Sequence, residues 1–322
     1  MCTRRSTPTA RARRERCSWT PSPATSNRPA GVVAAPLPAA VWTDAGLLAA
    51  RAALEPEAWK RGLTGPAPLI FCGEHAHYAI SRAGGELGLG TDNVRAVPSL
   101  HWTMDVHALT EMLDAAQAEK RRVMAVVATA GHTVTGSFDD LDAIGAICEE
   151  RGLWFHVDGA HGASALFSTP HAARLRGIAR ARTVAWDLHK MMLVPLAAGA
   201  LIARDERDLS AAFAQRAPYL FHGAEGTRSA DQGTRSFLCS RRVDALKVWV
   251  TLQRYGASGL GAVYDHLCAL ATALHGMIGA RADFVSLHVP ESNILCFRRE
   301  SHLAELLDGP AAEGGRRLEE PA

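Results

Sequence analysis

Hydrophobic positions divide the chain into two unlike parts. From about residue 45 onward, short apolar runs alternate with stretches whose apolar residues recur at helical spacing. The runs predict strands at 68–72 (PLIFC), 123–129 (VMAVVAT), 154–157, 183–185 and 198–203. The helical stretches are 45–59, 78–87, 106–120, 141–151 and 244–255, and Gly88 and Gly152 stop two of them. Strands alternating with helices over 68–203 imply an α/β fold, a mainly parallel sheet with helices on both faces. Before this, residues 1–30 are rich in Arg, Ser, Thr and Pro and lack aliphatic periodicity. Such a segment buries too little apolar surface to offset its ordering entropy. Residues 1–35 are therefore read as a disordered or aberrant segment. No internal repeat is present.

Composition narrows the class. With 322 residues, 48% of them apolar, the chain is long enough for one large domain and a smaller one. A formal charge of +2 gives no reason to expect a nucleic-acid partner. No apolar run reaches the roughly 18 residues of a membrane span, and no apolar h-region follows the basic N-terminus, against a secretory signal. That N-terminus, Arg- and Ser-rich and poor in acids, also has the composition of an organelle transit peptide. Cys2, Cys17, Cys72, Cys148, Cys239, Cys268 and Cys296 are odd in number and widely spaced. They read as reduced thiols of a cytoplasmic protein rather than a disulfide framework.

The chemistry sits just after the strands, where ligands collect in sheets of this kind. Asp158, Ala160 and His161 follow 154–157. Asp187, His189 and Lys190 follow 183–185. His75 and His77 follow 68–72, and Gly131, His132 and Thr133 follow 123–129. Taken singly, each has a plain structural reading. An Asp after a strand is often a helix N-cap, a lone Lys is usually a surface residue, and Met191 and Met192 are core candidates. The pair His75–His77 lacks the third and fourth ligands of a zinc site, so no metal is predicted. Arg241 and Arg242 either line a site or salt-bridge the helix that follows them.

The segments HVDGAHG at 156–162 and WDLHKMM at 186–192 resemble the two signature segments of the group II pyridoxal-phosphate (PLP) amino-acid decarboxylases. Further similar segments are HAHYAISRAGGELGLG (75–90), VVATAGHTVTGSFDDLDAI (126–144), APYLFHG (217–223), RRVDALKVW (241–249) and NILCFR (293–298). The resemblance covers roughly residues 65–300. It implies a fold type I PLP-dependent transferase-like architecture, with a large PLP-binding domain over 36–255 and an incomplete small C-terminal domain over 256–322.

PLP chemistry needs a lysine amine for the aldehyde, a carboxylate at the ring nitrogen, and packing on both ring faces. The resemblance assigns these to Lys190, Asp158, and the pair His77 and Ala160. It places His189, Thr133 and Thr183 around the cofactor and makes Tyr219 the proton donor to Cα after CO₂ leaves. The implied reaction is decarboxylation of an L-amino acid in a homodimer, and APYLFHG leans toward an acidic substrate. Transamination and decarboxylation–deamination are the alternatives within PLP chemistry. The other alternative is an inactive remnant, since the chain departs from the family pattern. The Gly-Gly phosphate turn is absent, with Thr43, Ala45 and Gly46 as its only trace. His132 replaces a Thr, Arg182 replaces an acid, and both ends look trimmed.

Overall fold

The computed structural model describes residues 31–35, 39–213, 232–238 and 242–300. Eleven strands and seven α-helices occur in these residues. In chain order they are β1 (Gly31–Ala35), α1 (Ala39–Leu54), α2 (Ala58–Arg61), β2 (Leu69–Gly73), α3 (Ala79–Glu86), β3 (Val94–Val97), β4 (Ser99–Leu100), β5 (Thr103–Met104) and α4 (Val106–Ala118). Then come β6 (Val123–Thr129), α5 (Leu141–Arg151), β7 (Trp154–Asp158), β8 (Thr183–Trp186), β9 (Gly199–Ala203) and α6 (Glu206–Ala212). The long α7 (Ala245–Gly279), β10 (Phe284–Ser286) and β11 (Phe297–Arg299) complete the order.

Seven strands form one sheet in the order β1-β9-β8-β7-β6-β2-β3. From β3 to β8 every pairing is parallel, while β9 runs antiparallel to β8 and β1 antiparallel to β9. Every residue of β2 and β7 is buried. That continuous burial is why these strands read as unbroken apolar runs rather than alternating ones. One face carries α1, α3 and α6 over a core that includes Trp42, Leu47, Ile70, Ala125 and Leu201. The other face carries α4 and α5 over Leu69, Val126, Ile144 and Phe155. Asp105 and Asp140 cap α4 and α5 by accepting backbone N–H groups of the first turn. Gly152 closes α5 in the left-handed conformation.

The structure departs from the sequence expectations at several points. Residues 31–35 were assigned to the aberrant N-terminal segment, but they pair with β9 as a sheet strand. The helix expected over 45–59 begins at Ala39 and divides into α1 and α2. The helix expected over 244–255 continues to Gly279, with a break at Gly256 (φ 65°, ψ 173°) where the smaller domain was expected to begin. Beyond α7, β10 and β11 pair as a separate two-stranded ladder.

Candidate active site

Four loops at the carboxyl ends of β2, β6, β7 and β8 come together. Their closeness is built into the backbone. Gly159 N–H donates to Ala185 O (2.9 Å) and Asp187 N–H donates to Ala160 O (3.1 Å), so the lysine loop is stitched to the aspartate loop. Ala130 N–H donates to Asp158 O (2.8 Å) and Gly162 N–H to Ala130 O (2.9 Å). Gly131 has φ +85°, and a Cβ there would come within 2.9 Å of Gly162 N. Only glycine allows both that conformation and that approach.

The loops border one cleft, lined by Thr43, His77, Ala79, Thr129, Gly131, Thr133, Asp158, Ala160, His161 and Lys190. Five residues that the resemblance assigns to the cofactor therefore meet in one cleft: Lys190, Asp158, Ala160, His77 and Thr133. Asp158 is buried, and the hydrogen bond its carboxylate receives among the described residues is from Ala160 N–H (3.1 Å, to Oδ1). It has no cation paired to it among the described residues. Such a carboxylate favours a positively charged or N–H partner inside the cleft. The Thr129 hydroxyl, beside Asp158 in the ladder, is buried without a hydrogen-bond partner among the described residues. His77 Nδ1 accepts from Ala79 N–H at 3.2 Å, which leaves its proton on Nε2. Burial lowers the His77 pKa; nearby Asp158 opposes this, and Lys190 and Arg82 add to it. The ring is thus a neutral, flat group at neutral pH.

Lys190 Nζ lies 3.2 Å from Asp187 Oδ2, and His189 Nε2 lies 3.6 Å from the same oxygen. Burial raises the Asp187 carboxyl above its ordinary value, while Lys190 and His189 pull it back. His189 does not line the cleft; its Nδ1 is 2.7 Å from Ala198 O, and it borders the site through Asp187.

Thr183 is a correction. Its hydroxyl accepts from Trp154 Nε1 (3.0 Å) and meets His156 Nδ1 at 2.8 Å, and the residue is fully buried outside the cleft. It pairs with His156, two residues short of the Asp158 end of the strand, so it is too deep to reach a ligand there. The proposed phosphate-turn trace is a second correction. Thr43, Ala45 and Gly46 lie inside α1 rather than in a turn, and of these only Thr43 lines the cleft. A Cβ at Gly46 would stand 2.7 Å from the His156 ring, so this glycine serves helix–sheet contact. Arg242 takes the salt-bridging alternative, 3.5 Å from Asp244. Arg182, where an acid was expected, forms a two-pronged pair with Asp208 (2.8 and 2.7 Å) and stacks over Trp154. Tyr219 and Arg241 lie outside the described residues.

Thr129 and Ala79 line the cleft without a signal of their own in the sequence, while His161, Asp187 and His132 stand at the strand ends with no role assigned to them there. His161 and Asp187 lay inside the two signature segments, so their position was visible. His161 Nε2 meets Asn293 Oδ1 at 2.8 Å, a contact with a segment 132 residues away that no local pattern reveals.

Residues 30–300 match the pyridoxal-dependent decarboxylase conserved domain. The chain is 38% identical over 260 residues to an acidic amino acid decarboxylase of Mus musculus, covering 79% of this chain and 47% of that protein. It is 39% identical over 246 residues to the cysteine sulfinic acid decarboxylase of Mus musculus, covering 75% and 50%. The solved structure of mouse CSAD in apo form matches with a TM-score of 0.78 at 34% identity, over 84% of this chain and 57% of that one. Oryza sativa TDC, solved with PLP and tryptamine, shares the fold at a TM-score of 0.79 and 22% identity, over 84% of this chain and 56% of that one. The chain spans about half the length of the curated relatives it matches.

Proposed function

Because the chain belongs to the pyridoxal-dependent decarboxylase family, we propose that it binds pyridoxal 5'-phosphate and removes the carboxylate of an L-amino acid as CO₂. The observation that carries this reading is the meeting of Lys190, Asp158, His77 and Ala160 in one cleft at the strand ends. The cleft fits the cofactor's ring. Asp158 is a buried carboxylate without a paired cation among the described residues, suited to a protonated ring nitrogen. Lys190 offers a primary amine to the aldehyde. His77 is a neutral flat ring, and Ala160 is small enough to lie under another. The buried Thr129 hydroxyl and the exposed Thr133 add donors to the cleft.

When bound, the cofactor supplies a protonated ring that draws electrons from the bond being broken. The chain's own residues do the rest. Asp158 holds the proton at the ring nitrogen by charge. His77 and Ala160 keep the ring plane fixed, and His189 acts at one remove, sharing Asp187 with Lys190. Tyr219 returns a proton to Cα. The names of the curated relatives, with the APYLFHG segment, support an acidic amino acid as substrate. A homodimer and a cytoplasmic location complete the proposal. The unpaired thiols of Cys72, Cys148, Cys268 and Cys296 support that location. Among the described residues no helix is long and apolar enough to cross a membrane.

Adding PLP to the purified protein tests the reading. A visible absorption band that Lys190→Ala abolishes is expected, together with release of amine and CO₂ from an acidic amino acid. Tyr219→Phe is expected to lower amine yield, and full yield from that variant removes Tyr219 from the mechanism. A second reading, an inert member that keeps the fold, is favoured by one observation: the residues taken for a phosphate turn are helical. The absence of any band in the parent protein selects it.

A further inference from the structure

A buried imidazole joins the loop after β2 to the turn after β6, and the reaction proposed above makes no use of it. The His132 side chain is 1% exposed. Its Nε2 lies 3.0 Å from Asp139 Oδ1, and its Nδ1 lies 3.4 Å from the carbonyl oxygen of His75. Both partners accept. A carbonyl has no proton to give. Asp139 already takes Met104 N–H on Oδ1 and Thr129 N–H on Oδ2, each at 2.7 Å. A neutral imidazole carries a single N–H, so this pair of contacts selects the ring that is protonated at both nitrogens.

The surrounding charges agree. Burial opposes the imidazolium, but the hydrogen bond and charge of Asp139, the His75 carbonyl and the more distant Asp158 outweigh it, and the His132 pKa is raised. Cys72 also stands near Asp139, but burial pushes its thiol up to about 12, so it brings no competing charge.

The two acceptors belong to different parts of the cleft. Asp139 closes the turn that presents Gly131 and Thr133, with its own N–H donating to Thr129 O (3.0 Å). His75 stands two residues before His77. We propose that His132 is a positioning residue: by donating from both ring nitrogens it ties the loop that carries His77 to the turn that carries Gly131 and Thr133, and so fixes the stacking imidazole in the cleft. This rests on the reading of the cleft as the slot for the cofactor ring. His132 does not line that slot and acts through the His75 backbone.

With the folded value raised, the clamp is intact at low pH and is lost as pH rises through it, above the roughly 6.5 of an ordinary imidazole. Imidazole-nitrogen NMR on ¹⁵N-histidine-labelled, cofactor-free protein reads this directly, with His132→Gln identifying the signal. The expected result is one ring protonated at both nitrogens, with a midpoint above about 6.5. Calorimetry with pyridoxamine 5'-phosphate, which cannot condense with Lys190, reads the positioning. Its affinity is expected to fall as pH rises through the NMR midpoint. His132→Phe, which fills the space without donating, is expected to bind about tenfold more weakly, with no pH dependence over that range. His132→Gln provides a second variant should the Phe variant fail to fold, and it is expected to fall between the two. A single neutral tautomer at pH 6.5, or parent-like affinity in a folded His132→Phe, overturns the proposal. Failure of the parent to bind pyridoxamine 5'-phosphate removes the slot reading instead, and the positioning role with it.

Discussion

Gly46 lies in the middle of α1, where its missing side chain lets the helix rest on the sheet. An Ala at this position would place Cβ 2.7 Å from both Cε1 and Nδ1 of His156 and 3.3 Å from Thr183 Oγ1. His156 has no room to retreat, since it is fully buried and its Nδ1 is tied to Thr183 at 2.8 Å. Overpacking of this kind costs about 1–3 kcal/mol. Displacing the buried imidazole from its hydroxyl adds about 1–3 kcal/mol, and the better helix propensity of Ala returns about 1 kcal/mol. The net expectation for Gly46→Ala is a loss of roughly 3 kcal/mol, measured as a lowered urea midpoint at unchanged slope. Gly276→Ala is the matched control: this glycine is also helical, but a Cβ there meets nothing within 4 Å. That control is expected to be neutral or stabilised by up to about 1 kcal/mol. A Gly46→Ala protein as stable as its parent refutes the packing argument. A variant that keeps its stability but loses PLP affinity instead restores Gly46 to a phosphate-binding role.

Three further outcomes follow from the same structure. Burial lowers His156 to about 4, so the stabilisation it provides as a neutral ring is complete above about pH 6.5. It is lost as pH falls toward 4, by up to about 3 kcal/mol; the slope of stability against pH over that window should flatten in His156→Gln. Burial, with Glu86 adding to it, raises Asp44 to about 7 against the pull of Arg82. Its ionised form therefore opposes folding above pH 7, and Asp44→Asn should raise the urea midpoint at pH 8 and lose that advantage below about pH 4. Arg182→Ala removes both the fork to Asp208 and the stack on Trp154, and should cost roughly 1 kcal/mol in denaturant unfolding with the PLP band unchanged.

The legible parts of the fold were those whose signals are local. β6 and α5 appear with the boundaries expected, because an unbroken buried run and a capped, glycine-closed helix both announce their ends in sequence. β3 has no sequence signal because it is an edge strand whose middle residues, Arg95 and Ala96, are exposed, so it shows no apolar run. β1 has no local signal because its partner, β9, lies far away in the chain. At the site, motif position predicted which loops converge, and Asp158, Lys190, Ala160, His77 and Thr133 line one cleft as a result. Depth along a strand was not legible. Thr183 stands in the right segment but two residues too far inside the sheet. The His132 contacts were not legible either, since one of them is to a backbone carbonyl 57 residues away.

Reductive trapping tests the central claim most directly. The chain has four lysines: Lys60, Lys120, Lys190 and Lys247. Borohydride treatment of the protein with stoichiometric PLP, followed by peptide mass mapping, should place the phosphopyridoxyl group on Lys190 alone. A label spread over Lys60, Lys120 and Lys247, or no label on Lys190, would contradict the account.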